Sequence, residues 1–143
     1  MSPYQFTSVL VAVDGSEGAA KALDCALSIC EAVHARLTAL AVEGKLPAYA
    51  ASVGEVDEVK HEKDQFFKRV LEQAEGQARA RGVQIETDLI AGHAAEVITH
   101  YAKAHGHDLI VVGHRGHFLG DYLLGSTADR VTHHAHCPVI VVR

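Results

Sequence analysis

The sequence predicts an α/β protein: a single domain built on an open five-stranded parallel sheet with helices on both faces. Three observations lead there. Short, nearly continuous apolar runs recur along the chain, the pattern of strands buried on both sides. Each is followed by a longer segment whose apolar residues stand three and four apart, and strands alternating with helices call for a parallel sheet. A chain of 143 residues has the size of one ordinary domain, able to bury roughly two-thirds of its unfolded surface. Residues 1–143 are therefore expected to share one core.

The opening strand is Ser8-Val9-Leu10-Val11-Ala12-Val13, closed by the turn residues Asp14-Gly15-Ser16. Ser16 suits a helix cap and Glu17 the positive helix end. Ala19, Ala22, Leu23, Ala26, Leu27, Cys30 and Val33 then form one core face. Arg36 to Val42 reads as the second strand, and the stretch from Gly44 to Gly54, with Pro47 and many small residues, as a mobile loop. From Glu55 to Arg81 a charged but periodic segment carries Val56, Val59, Phe66, Val70, Leu71, Ala74 and Ala78 before Gly82 stops it. That stripe is too short and too alanine-rich for several heptads, so a solvated helix packed on the sheet is expected in place of a coiled coil.

Val83 to Leu89 alternates apolar and polar residues, as a third strand with one less-buried face would. Gly92 opens a helix carrying Ala94, Val97, Ile98, Tyr101 and Ala102. Asp108 to Val112 is a fourth strand running directly into Gly113. A fourth helix spans about Ser126 to His134, and Pro138 introduces the last strand, Val139 to Val142, at a tolerated position.

Composition removes several function classes. The apolar content is 48%, yet no run approaches the roughly 18 uncharged residues of a membrane span. Met1 to Phe6 lacks the basic and apolar regions of a secretion signal, so a soluble, cytoplasmic protein is expected. Cys25, Cys30 and Cys137 are odd in number and lack metal-type spacing, and they read as small buried hydrophobes in a reducing compartment. A net charge of −5, with no basic stripe, argues against nucleic-acid binding. Histidine is abundant, at 11 residues. Titration near the ordinary pKa of about 6.5 would turn the net charge positive in mild acid.

Ligands of open parallel sheets bind outside the carboxyl ends of the strands, where the winding reverses. Asp14 follows the first strand, Gly113-His114-Arg115-Gly116 follows the fourth, and Gly125-Ser126-Thr127 opens the next helix. Glycines let the backbone approach a phosphate, and a helix start offers free N–H groups to an anion. Each feature has a plainer reading when taken alone: Asp-Gly-Ser is common turn chemistry, and Gly-x-x-Gly can be only a bend. Their joint placement at strand ends favours a nucleotide seat.

At this point the chain resembles the universal stress protein family, in which Gly-x-x-Gly, a nine-residue spacer and Gly-Ser/Thr hold the phosphates of ATP. The likeness covers essentially the whole chain, through Val11 to Ser16, Leu109 to Gly113 and Cys137 to Val142. It implies a Rossmann-like sheet of the adenine nucleotide alpha hydrolase type. It also implies binding of ATP, ADP or AMP, with Mg2+ or Mn2+ carried by the phosphates. On this resemblance Ala12, Val13 and Asp14 would contact the adenosine and Val42 would pack on the adenine. Val112 and Gly113 would extend that pocket, and Gly116, Gly125, Ser126, Thr127 and Ala128 would surround the phosphates. Arg115 lies outside the motif but is placed for phosphate pairing, and His114 and His117 would do the same when protonated. One departure stands out: only eight residues, His117 to Leu124, separate Gly116 from Gly125. A tighter loop makes AMP or ADP an alternative to ATP. The resemblance also suggests a homodimer, formed by antiparallel pairing of Val139 to Val142 with their copies. An unprotected apolar edge invites the same pairing.

The function expected is that of a nucleotide-binding stress-response or regulatory protein. Slow ATP hydrolysis or autophosphorylation comes second, since no general base, Walker lysine or metal-carboxylate pair can be read. A phospho-receiver needs an acidic pair after the first strand and an aspartate after the third, where Ala91-Gly92 stand instead. The pairs His105-Gly106-His107 and His134-Ala135-His136 lack a completing carboxylate or thiol, so neither is read as a metal site. Both are expected to be solvated histidines at element ends.

Overall fold

A computed structural model describes residue 2 and residues 4–44, 53–114 and 124–143. Elements alternate as β1 (Ser8–Ala12), α1 (Glu17–Val33), β2 (Arg36–Glu43), α2 (Val53–Ala80), β3 (Ile85–Ala91), α3 (Ala94–Ala104), β4 (Leu109–Gly113), α4 (Ser126–His134) and β5 (Val139–Val142). All pairings are parallel. Val9 stands opposite Leu37 on one side and Leu109 on the other, and the five strands take the order β3-β2-β1-β4-β5. The expected fold class is the one observed.

Strand period two divides the core. Val9, Val11 and Val13 point to the layer of α1 and α2, meeting Leu27, Cys30, Leu71 and Ala74. Leu10, Leu40 and Ile110 point the other way, onto Ile98 and Ala102 of α3 and Val131 of α4. Both faces of the sheet are thereby covered, so β1 and β4 carry unbroken apolar runs.

Local chemistry sets most of the boundaries. The Ser16 hydroxyl accepts a hydrogen bond from the Ala19 N–H at 3.1 Å, capping α1 as expected. Helix α1 ends where His34 turns left-handed, at φ 60°, and its N–H reaches the Cys30 carbonyl. Val33, expected on the core face, is exposed, because it is the last helical residue and the chain there is already turning into β2. Helix α2 ends where Gly82 adopts φ 68° and the Val83 N–H bonds the Ala78 carbonyl at 2.9 Å. Val83 is consumed by that cap, so β3 begins at Ile85, later than its alternation suggested.

Two expectations need correction. Helix α2 begins at Val53, inside the stretch expected to be loop; residues 45–52 lie outside the described residues. Its apolar stripe packs only over the second half: Leu71, Ala74 and Ala78 are buried, whereas Val59 and Phe66 are exposed. The cause is length. Its 28 residues span roughly 42 Å at the helical rise, against about 26 Å for the eight residues of β2. From Glu58 to Gln65 no side chain is buried. The second correction concerns His107, which is buried, at 4% exposure, and bonded through Nδ1 to the Ser8 hydroxyl at 3.0 Å. His105, His134 and His136 are exposed, as expected of their pairs.

The cysteines are free thiols, Cys30 buried and the other two partly so. Burial pushes the Cys30 thiol up to about 11, keeping it protonated and unreactive. Among the described residues no helix is long and apolar enough to cross a membrane.

Candidate functional site

From β1 the chain winds outward through β2 to β3, then returns across the sheet to β4 on the other side of β1. The reversal between β1 and β4 is the place where parallel sheets open a crevice at their carboxyl edge. A cleft of about 330 Å3 lies there, within the roughly 300–1,000 Å3 typical of small-molecule sites.

Each wall has a local cause. At the end of β1, Val13 donates its N–H to the Leu40 carbonyl at 3.0 Å, holding the strand to its neighbour up to the turn. Asp14 Oδ1 then accepts the Ser16 N–H at 2.9 Å, which shapes the turn, and Asp14 lines the cleft. Gly15 is required at the next position: its φ is 83°, and a Cβ there would lie 2.6 Å from the Phe66 ring. The turn carrying Asp14 is therefore pressed against α2.

Opposite, β4 ends at Gly113. A Cβ on this residue would sit 2.8 Å from both the carbonyl carbon and oxygen of Gly18, so the glycine lets the first turn of α1 lie directly on the strand end. Beyond it the His114 N–H bonds the Val142 carbonyl at 2.7 Å, and the Gly125 N–H bonds the His114 carbonyl at 2.8 Å. The second bond brings the start of α4 back to the end of β4. Gly125 is the N-cap of α4 and supplies no side-chain hydrogen bond. The first amides of a helix lack intrahelical partners and carry its positive end, so Ser126, Thr127 and Ala128 present donors to the cleft.

Of the residues singled out in the sequence, Ala12, Val13, Asp14, Val42, Val112, Gly113, Gly125, Ser126, Thr127 and Ala128 all line this cleft. Arg115 and Gly116 lie outside the described residues, as does His117. Sequence reasoning missed Leu40, Ala94, Ile98 and Ala19, and saw Ser16 only as a cap. Leu40 was within reach, since it stands two residues before Val42 and shares its strand face. Ile98 and Ala94 arrive from α3, and only the crossover of that helix places them under the cleft. The result is an aliphatic floor with a carboxylate on one rim and hydroxyls with helix amides on the other. Among the described residues no group of three or more His, Cys, Asp and Glu side chains could hold a metal ion.

Fold and site together define an α/β domain with a small-ligand cleft at the switch point of a parallel sheet. The chain belongs to the universal stress protein family, whose sequence model matches residues 5–143. It is 36% identical over 147 residues to the universal stress protein YxiE of Bacillus subtilis (strain 168), covering 96% of this chain and 99% of that one. Among solved structures, the universal stress protein UspA from Lactobacillus plantarum superposes with a TM-score of 0.88 at 31% identity, covering 97% of this chain and 99% of that chain. A universal stress protein solved in complex with cAMP superposes at 0.77 with 25% identity, covering 97% of this chain and 98% of that chain.

Proposed function

We propose that this chain is a single universal stress protein domain that binds an adenine nucleotide (ATP, ADP or AMP) in the switch-point cleft and acts as a cytoplasmic stress-response or regulatory protein. One observation carries the reading: the start of α4, whose N-cap Gly125 makes no side-chain hydrogen bond, faces the Asp14 turn across an aliphatic floor. Chemically, the floor of Leu40, Val42, Ile98 and Val112 suits a flat base, the Asp14 carboxylate suits sugar hydroxyls, and the α4 amides suit phosphate oxygens. The relative solved with cAMP supports the adenine and phosphate parts of this assignment. Any divalent ion would arrive with the phosphates.

Titration calorimetry with ATP, ADP, AMP and cAMP, with and without magnesium, is expected to show saturable binding of at least one of them. A hydrogen bond to a charged group contributes about 1.5–3 kcal/mol, so Asp14→Ala should weaken that binding roughly 10- to 100-fold. Asp14→Asn keeps an oxygen for the Ser16 N–H while removing the charge, separating sugar contacts from turn geometry. Heat absent for every adenylate, or an unchanged affinity in Asp14→Ala, would sink the proposal.

Strand β5 is an edge strand of half-buried valines and isoleucine, and we propose that it pairs antiparallel with a second copy. Sedimentation should report a dimer; a monomer at micromolar concentration rules this out.

A further inference from the structure

The amino edge of the sheet, opposite the cleft, holds a polar cluster that nucleotide binding does not use. A cavity of about 110 Å3 there is lined by Ser8, Arg36, Glu86, Tyr101, His105 and His107, among others. The Tyr101 ring stacks on His105 with centroids 3.9 Å apart and lies 5.9 Å from His107, while its hydroxyl donates to Asp88 at 3.1 Å. His105 is tied through Nδ1 to the Tyr101 carbonyl at 3.0 Å, where that nitrogen must donate. Two main-chain bonds pass through the same place: the His107 N–H to the Ala102 carbonyl at 2.8 Å, and the Asp108 N–H to the Ser8 carbonyl at 2.9 Å. Together they fasten the end of α3 to the start of β1.

We propose that this cluster is an acid-sensitive latch: protonation of buried His107 unfastens the carboxyl end of α3 from the amino ends of β1 and β4. The groups facing His107 determine the direction. At the C-cap of α3 stands His105, with ring centroids 6.5 Å apart; on β2 stands Arg36; on β1 Ser8 faces the ring with both its hydroxyl and its main chain. Against them are Glu86 on β3 and Asp108, and both Asp108 oxygens are already occupied by the Thr7 and Ser8 main chain and the Thr7 hydroxyl. Tyr101, pushed up to about 12 by burial and its bond to Asp88, stays neutral, as do the thiols of Cys30 and Cys137 near Asp108, raised by burial. Burial is the largest influence and holds His107 below its ordinary pKa; a hydrogen bond to the Ser8 main chain and the Asp108 charge oppose it, His105 and Arg36 add to it, and the net direction is down.

The linkage sign follows. A histidine whose folded pKa is depressed contributes stability that is whole above about pH 6.5 and is lost as pH falls from there through the folded pKa. Because α3 also lines the cleft with Ala94 and Ile98, one 11-residue helix joins the latch to the ligand site. The latch itself is independent of what the cleft holds.

Thermal unfolding of the ligand-free protein from pH 8 to pH 5 should show a midpoint that falls below pH 6.5 in wild type and a clearly flatter profile in His107→Gln. Deuterium exchange at pH 5.5, corrected for intrinsic rates, should quicken by up to about tenfold relative to pH 8, the limit set by a pH one unit below the open-state pKa, at the His107 and Asp108 amides while the centre of β1 stays protected. Resonance titration of the wild-type His107 ring tests the idea even if the variant fails to fold. A ring pKa at or above 6.5, an equally steep profile in His107→Gln, or exchange that quickens uniformly would each overturn the latch.

Discussion

Gly113→Ala is expected to destabilise the protein by about 1–3 kcal/mol, the usual cost of overpacking, and to impair ligand binding at the same time. Replacing glycine in a strand with alanine ordinarily gains roughly 0.5–1 kcal/mol from reduced freedom in the unfolded chain. Here the new methyl group would stand 2.8 Å from the carbonyl carbon and oxygen of Gly18, main-chain atoms that cannot swing aside as a side chain would. The steric term is the larger and decides the sign. Relief requires lifting the first turn of α1 off β4, which moves Ser16 and the Asp14 turn away from α4 across the cleft. Gly76→Ala supplies the control: that glycine lies inside α2 with nothing within 4 Å of its Cβ position, so a gain of roughly 0.5–1 kcal/mol is expected. Urea unfolding of the two variants against wild type reads both effects, and a Gly113→Ala protein as stable as wild type would remove the close-packing argument.

The second large effect is expected at Ile98. This side chain is 1% exposed and serves two purposes, filling the core between α3 and the sheet and forming part of the cleft floor. Truncation to alanine should cost about 2–5 kcal/mol, with the upper part of that range reached if the space cannot collapse. Ile98→Val should cost only about 0.5–1.5 kcal/mol. Their effects on the cleft should separate in the same order: alanine deepens the floor under the proposed base and weakens adenylate binding, whereas valine nearly preserves it. Denaturant midpoints and calorimetry on both variants check this; equal losses for alanine and valine would mean that Ile98 does not set the floor.

Much of this architecture was readable before any coordinates. Val9 to Val13 and Leu109 to Val112 are apolar without interruption because β1 and β4 lie inside the sheet with helices on both sides. The bounds of α4 and β5 follow from Gly125 and Pro138, two residues whose backbone rules are strong. Most of the cleft was legible too, because its residues follow directly upon strand ends. What escaped was everything supplied from a distance. Ile98 reaches the cleft only through the placement of α3, and Phe66 reaches Gly15 only because α2 lies across the turn. His107 reads as a solvated loop residue from its neighbours alone, and it is buried because β1, β2 and α3 converge on it.

Local pattern was thus enough to dictate the order of elements, their parallel arrangement and the strand ends where a ligand would sit, because periodicity and turn chemistry act over a few residues. Three-dimensional packing alone decided how closely α1 approaches Gly113, which face of α3 underlies the cleft, and that one histidine loses its water. Those outcomes depend on distances between segments far apart in the chain, and no short-range rule carries that information.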